Sequence, residues 1–186
     1  MKLLFQKLLF AVLISAPIVA AQAQDSRIQT ASLDHLAAKA SQTFDVNMDE
    51  RLIKLAAAVF SDDGDEKKVK ELLVGIKGIY VKHFEFENDG QYTPADIESI
   101  RTQLRTPSWS RLANFTSKKD GNLEVYLLMT GEKVGGLAVL SSNERELTIV
   151  NIVGSVDLEK LAQLEGQFGV PELGIQPGKA KPKNEQ

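Results

Sequence analysis

The chain contains two histidines and no cysteine. Disulfides, thiolate metal sites and thiol catalysis are therefore excluded, and imidazole chemistry has two places to occur. His83 and Glu85 lie two apart in a stretch of period-two sequence. That spacing puts both on one side of a strand, where a metal could bridge them. A third ligand at matching spacing is missing, and a half-polar strand side accounts for the pair equally well. His35 follows Asp34 in an amphipathic stretch and reads as a surface residue.

The acidic run Asp62-Asp63-Gly64-Asp65-Glu66 resembles a calcium loop only superficially. Such a loop needs spaced acids, a glycine at its sixth position and a bidentate acid at its twelfth, and the run offers none of these. It reads as a solvated helix start. Ser108-Trp109-Ser110 lacks the glycines of a nucleophile elbow. The segment from Thr130 to Gly136 has neither the spacing of a phosphate loop nor a following helix. Acids for a carboxylate pair are plentiful, but they sit in turns and at helix starts, where solvation explains them. The expectation is no catalytic residue, no metal ligand and no cofactor, hence a protein that is not an enzyme. The sequon Asn114-Phe115-Thr116 is read as chance.

Trp109 is the one tryptophan of the chain, and Arg111 lies two residues away. An aromatic beside a guanidinium is a common interface anchor. The favoured alternative is that Trp109 closes the core behind a preceding helix. Trp109, Arg111, Tyr126, Leu128, Val150 and Ile152 together form the expected partner surface.

The elements that must position these residues follow from hydrophobic periodicity. Leu33, Leu36, Ala37 and Ala40 give a first helix capped by Ser32. Phe44 and Val46 suggest a short strand. Leu52 to Phe60 reads as a substantially buried helix, and Val69, Leu72, Leu73 and Ile76 as another ended by Gly78. The period becomes two from Ile79 to Glu87, with Tyr80, Lys82, Phe84 and Phe86 on one side. Thr93, Pro94 and Asp96 then mark a helix start, and Pro107 its end. A short strand at 111–116 precedes a meander over 123–129, 134–140 and 147–153. Residues 156–166 read as a final helix capped by Asp157. The order predicts an α+β fold: an antiparallel sheet of four to five strands with a C-terminal meander, packed against several helices.

The last strand, "ELTIVNIVG" (146–154), is apolar on both sides, broken on one side only by Asn151. Val125, Leu127 and Met129 are matched with Leu147, Ile149 and Val153 on one face. Tyr126, Leu128, Val150 and Ile152 make the other. Gly135 and Gly136 within the preceding strand mark a bulge or a close approach, and a bulge would exchange these rows. The second face is either covered by the remaining helices or open to a partner.

The ends carry their own signals. Lys2 and Lys7 precede an apolar run, and Ala21-Gln22-Ala23 has the form that signal peptidase cleaves. The run is shorter than the roughly 20 residues that span a bilayer. Cleavage after Ala23 removes two lysines from a chain of net charge −3, leaving an acidic exported protein of charge −5. That balance gives no footprint for nucleic acid. The expected organisation is a signal peptide over 1–23, an N-terminal helix and linker over 24–45, one domain over 46–170 and a disordered tail over 171–186. The location expected is the periplasm, with no integral membrane segment after cleavage.

"RLIKLAAAVF", "VKELLVGIKGIYVKHFEFE", a tryptophan before the meander and "EVYLLMTGEKVGGLAVLSSNERELTIVNIVGSVDLEKLAQL" resemble the domain-of-unknown-function family 4252. The resemblance runs from about residue 46 to 170. It implies a bacterial exported protein and assigns no activity, cofactor or site residue. The functional expectation is a non-catalytic interaction or adaptor module of the cell envelope, binding an envelope protein or a second copy. The alternative is a carrier of a lipid or other apolar ligand between sheet and helices.

Overall fold

The computed structural model describes residues 26–158. The expected signal peptide, most of the helix over 156–166 and the tail from 171 lie outside the described residues.

Six strands form one open antiparallel sheet: β1 (Gln42–Asp49), β2 (Ile76–Glu85), β3 (Trp109–Ser117), β4 (Gly121–Thr130), β5 (Lys133–Ser142) and β6 (Glu146–Gly154). Their spatial order is β1-β2-β6-β5-β4-β3. A 3-10 helix (Ala31–Ala38) and the helices α1 (Glu50–Ala57), α2 (Gly64–Leu73) and α3 (Pro94–Leu104) pack on it. The α+β class and the antiparallel sheet agree with the sequence pattern, and the strand count is corrected from four to five to six. The pattern understates β1 because an edge strand buries little, and all but two of its residues are exposed.

Strand register decides the faces. Tyr126 pairs with Ala138, Ala138 with Asn151, and Asn151 with Tyr80. This row belongs to the first face, with Phe84, Leu128, Leu140, Leu147 and Ile149. The face is covered by Ile97, Ile100 and Leu104 of α3 and by Leu33 and Leu36 of the 3-10 helix. Val125, Val139 and Val150 make a row on the second face. There Ile53 of α1, Leu72 and Leu73 of α2, and Val156 lie against the sheet. The doubly apolar β6 thus has the protein's own helices on both sides. Burying each such Leu, Ile or Phe stabilises by about 1.5–3 kcal/mol.

The matching of Val125 and Leu127 with the Leu147 row is therefore corrected, and the cause is one residue. Leu128 pairs with Gly136 but Met129 with Val134, which makes Gly135 an extra residue in β5. A bulge reverses the inside–outside parity of all that follows. A Cβ there would press on the Thr130 hydroxyl, so glycine fits without displacing that side chain.

Asn151 breaks the apolar run for a reason visible in its bonds. Its Oδ1 accepts from the Ile28 backbone N–H at 2.9 Å, and its Nδ2 donates to the Leu137 carbonyl at 3.3 Å. This central, buried amide ties the N-terminal segment across the first face. Gln29 and Gln103 extend the seam with two reciprocal bonds of 2.8 Å each. His35 lies 3.0 Å from the Asp96 carboxylate, and Asp34 pairs with Lys82. Leu33 and Leu36 are 0% exposed. Residues 28–40 are thus part of the same core, not a linker, and the boundary expected at 45/46 falls inside β1.

Two helices differ from expectation. α1 buries Ile53 alone, and Leu55 and Val59 are exposed, because the helix meets the sheet along one line. α2 stops before Gly75, whose φ of +91° suits glycine, and Gly78 belongs to β2. α3 begins as its sequence predicts: the Thr93 backbone N–H and hydroxyl donate to Asp96 at 2.7 and 2.8 Å.

If the N-terminal segment is core, Leu36→Ala should cost about 2–5 kcal/mol in urea unfolding, as deleting a fully buried leucine does. A loss of less than about 0.5 kcal/mol, the usual effect at the surface, would mark it as a dispensable strap.

Candidate functional site

The last turn of α3 carries Arg101, Leu104 and Arg105 at i, i+3 and i+4, so all three share one side of the helix. Leu104 is buried in the core and the two arginines flank it. Facing them, β4 presents Asn122, Glu124 and Tyr126 at alternate positions. The edge strand β3 adds Trp109 and Arg111, then Asn114 and Thr116. These two pairs differ in parity and reach one face only because Leu112 is an extra residue between Arg111 and Ala113. Arg111 then lies level with Tyr126, Asn114 with Glu124, and Thr116 with Asn122. Together the residues line an open cleft of about 620 Å3.

Glu124 is its electrostatic centre. The residue is 3% exposed, although it stands between apolar neighbours on β4. Arg101 donates to its Oε1 from Nε at 2.8 Å and from Nη2 at 2.5 Å, and the Tyr126 hydroxyl donates to Oε2 at 2.7 Å. Burial pushes the carboxyl up, but the bonds from Arg101 and Tyr126, with the charges of Arg101 and Arg111, outweigh it and hold it below its ordinary value. Burial and the neighbouring Glu124 carboxylate push the Tyr126 hydroxyl up, against the opposing pull of Arg111. An ionised, fully bonded glutamate is a poor proton donor at neutral pH.

The three guanidinium groups are not equivalent. Arg101 is neutralised by Glu124, and Arg105 by Glu98 at the outer rim. Arg111 is exposed, and among the described residues no carboxylate lies within 4 Å of it. A cleft with one cation outside any close ion pair among the described residues, amide and hydroxyl groups from Asn114, Asn122 and Thr116, and an indole in its wall can hold an anion.

Three of the six residues expected as a partner surface, Trp109, Arg111 and Tyr126, line this cleft. Trp109, Tyr126 and Leu128 are buried beneath α3 and only Arg111 is open to a partner; Trp109 closes the core, the favoured reading. Val150 and Ile152 lie on the opposite face, half-buried beside Val81 and Ile79. The six are not one surface, because the Gly135 bulge exchanged the rows. The sequence reading missed Arg101, Arg105, Asn114, Asn122 and Glu124. A lone acid in the apolar stretch "NLEVYLLM" was the available signal, since a buried charge requires a partner. His83 is bonded to the Thr148 hydroxyl at 2.8 Å. Among the described residues no three His, Asp or Glu side chains gather as a metal site would require.

The chain matches the family model described as "Domain of unknown function (DUF4252)" over residues 38–164. It belongs to that family. The comparisons with curated proteins and with solved structures gave no match. The DUF4252 match begins at residue 38, within the last turn of the 3-10 helix, and includes every residue of the cleft. The family description assigns no function to any of them.

The sign of the pH dependence follows from Glu124. An ordinary glutamate titrates at 4.5, and this one titrates lower in the folded state. The stabilisation is complete above the unfolded value and is lost as pH falls through the folded one. The depressed Asp96 carboxyl acts in the same direction, as Thr93 and His35 outweigh the effect of burial there. Glu124→Gln should lower stability at neutral pH by about 1–3 kcal/mol, the cost of leaving buried partners unsatisfied. Its urea-unfolding free energy should also fall less steeply below pH 4.5 than that of the natural chain. Parallel pH profiles would show that the carboxylate is not a charged structural centre.

Proposed function

We propose that this protein is a non-catalytic binding module that holds an anionic group of a partner or ligand in the arginine cleft. The observation that carries the reading is Arg111: an exposed guanidinium on the wall of a polar cleft that has, among the described residues, no carboxylate within 4 Å, while Arg101 and Arg105 are each paired with one. Hydrogen bonds to charged groups contribute about 1.5–3 kcal/mol each, enough to give such a site measurable affinity. Glu124, the buried acid of the cleft wall, is ionised and fully bonded, which favours binding over catalysis. The apolar run at residues 8–19 and the Ala21-Gln22-Ala23 signal support export and work in the periplasm. Among the described residues no helix is long and apolar enough to cross a membrane.

A second reading has its own observation. At the opposite end of the sheet Leu128, Met129, Val134 and Val153 line an open groove of about 710 Å3, with Lys77 and Lys133 beside them. An apolar bed with ammonium groups at hand suits a carrier of an amphiphilic anion. Such a carrier purified from cells should retain ligand visible by native mass spectrometry.

The primary reading is tested by titrating the purified protein with inorganic phosphate while following arginine side-chain NMR signals. The Arg111 signal should shift in a saturable manner, and Arg111→Ala should weaken binding by about 10- to 100-fold, the equivalent of one charged hydrogen bond. Added sodium chloride should weaken it further. Shifts spread evenly over all arginines, unchanged by Arg111→Ala, would remove the cleft from consideration.

A further inference from the structure

The cleft opens beside β3, the last strand of the sheet, while the other end of the sheet is β1. Among the described residues no strand pairs with the outer sides of β3 and β1, and edges of nine and eight residues are long; natural proteins usually shorten, charge or cover such edges to prevent strand addition. These two differ in charge and match in pattern. β1 sets Thr43, Asp45 and Asn47 on the first face, level with Phe84, Lys82 and Tyr80. Its second face carries Phe44, Val46 and Met48. On β3 the first face carries Arg111, Asn114 and Thr116, beside Arg105 of α3, and the second face carries Phe115. Phe44 and Phe115 are 58% and 53% exposed, which is unusual for large aromatics in strands.

Strand polarity adds a geometric argument. With every strand antiparallel to its neighbour, six strands leave β1 and β3 running in opposite directions. A second copy placed beside β3 in the same orientation brings its β1 antiparallel to β3. First face then continues first face, with strands about 4.8 Å apart. Acidic Asp45 arrives on the arginine side and Phe44 on the Phe115 side, in the alternation that cross-strand pairs need. Asp45 is also available. Lys82 binds both Asp34 and Asp45, with Asp45 the more distant at 3.4 Å, so one cation already serves two carboxylates.

The geometry points to a second copy of this chain as the occupant of the cleft and the β3 edge. The copies join head to tail through β1 and β3, with the Asp45 carboxylate as the anion that Arg111 takes. This rests on the anion-binding reading of the cleft and names its partner. Such an interface is heterologous: each copy keeps a free β1 at one end and a free β3 at the other, so association proceeds to chains of copies.

The test is sedimentation velocity of the purified protein over a range of concentrations, at low and high salt. The expected result is concentration-dependent growth beyond a dimer, weakened by salt. Asp45→Arg and Arg111→Asp should each lower the association constant at least about tenfold, the effect of losing about 1.4 kcal/mol. Mixing the two variants should restore association, since each supplies the charge that the other has reversed. That rescue also shows both variants to be folded. A synthetic peptide, Gln-Thr-Phe-Asp-Val-Asn-Met-Asp, copying β1, should cap β3 and dissociate the assemblies. A protein that stays monomeric while Arg111 still binds phosphate would overturn the self-association and leave the cleft reading intact. Loss of both would sink the two together. Association that is indifferent to Asp45→Arg and to the peptide would place the contact elsewhere.

Discussion

A sheet that is apolar on both faces must be covered twice, and this requirement organises the structure. β6 lies inside the sheet and has Leu147 and Ile149 on one side, Val150 and Ile152 on the other. Leaving either row in water would forfeit burial worth several kcal/mol. The first cover is composite: α3 lies over one part, and the segment from Ile28 to Ala40 over the next. The joint between them and the sheet is polar, and Asn151 satisfies it by bonding the Ile28 N–H and the Leu137 carbonyl at once. A leucine at that position would bury more apolar area and leave the buried Ile28 N–H without this acceptor, which is the more costly choice. The second cover is made by α1, α2 and Val156.

The covers also determine where function can reside. α3 ends at Leu104 and the chain returns to the sheet at Trp109, so among the described residues no helix lies above the outer part of β3 and β4. Water reaches that part, and its residues are accordingly polar. Glu124 is at the inner limit of this region. It is buried enough to need Arg101 and Tyr126, and its pairing consumes the nearest positive charge. Breaking such a pair by removing one partner is far more damaging than never having had it. The outcome is a bonded floor beneath the exposed Arg111.

Much of the fold was legible in the sequence. The α3 start was written in Thr93, Pro94 and Asp96, and the β2 face in Tyr80, Lys82, Phe84 and Phe86. These signals are local, set by capping geometry and by the period of the strand. What escaped was long-range or inverted a local rule. The bulges at Gly135 and Leu112 each insert one residue and reverse which side chains share a face. The paired glycines signalled the first as one of two alternatives, and no periodicity count reveals the second. The Arg101–Glu124 pair joins residues 23 apart in the chain, and only the packing of α3 on β4 brings them together. β1 was understated because it lies at an edge, where the apolar signal of burial is weakest. The site residues Trp109, Arg111 and Tyr126 were recognised as a group, but Val150 and Ile152 were placed with them through the row exchange.

The double cover and its limit at β3 are tested most directly by hydrogen exchange at single-residue resolution on the full chain under native conditions. The slowest amides should lie in the interior strands β6, β5 and β2, opening only with global unfolding, with faster local opening along β1 and β3. Amides of β6 exchanging as fast as those of β3, or a uniform rate across all six strands, would show that the sheet is not covered twice.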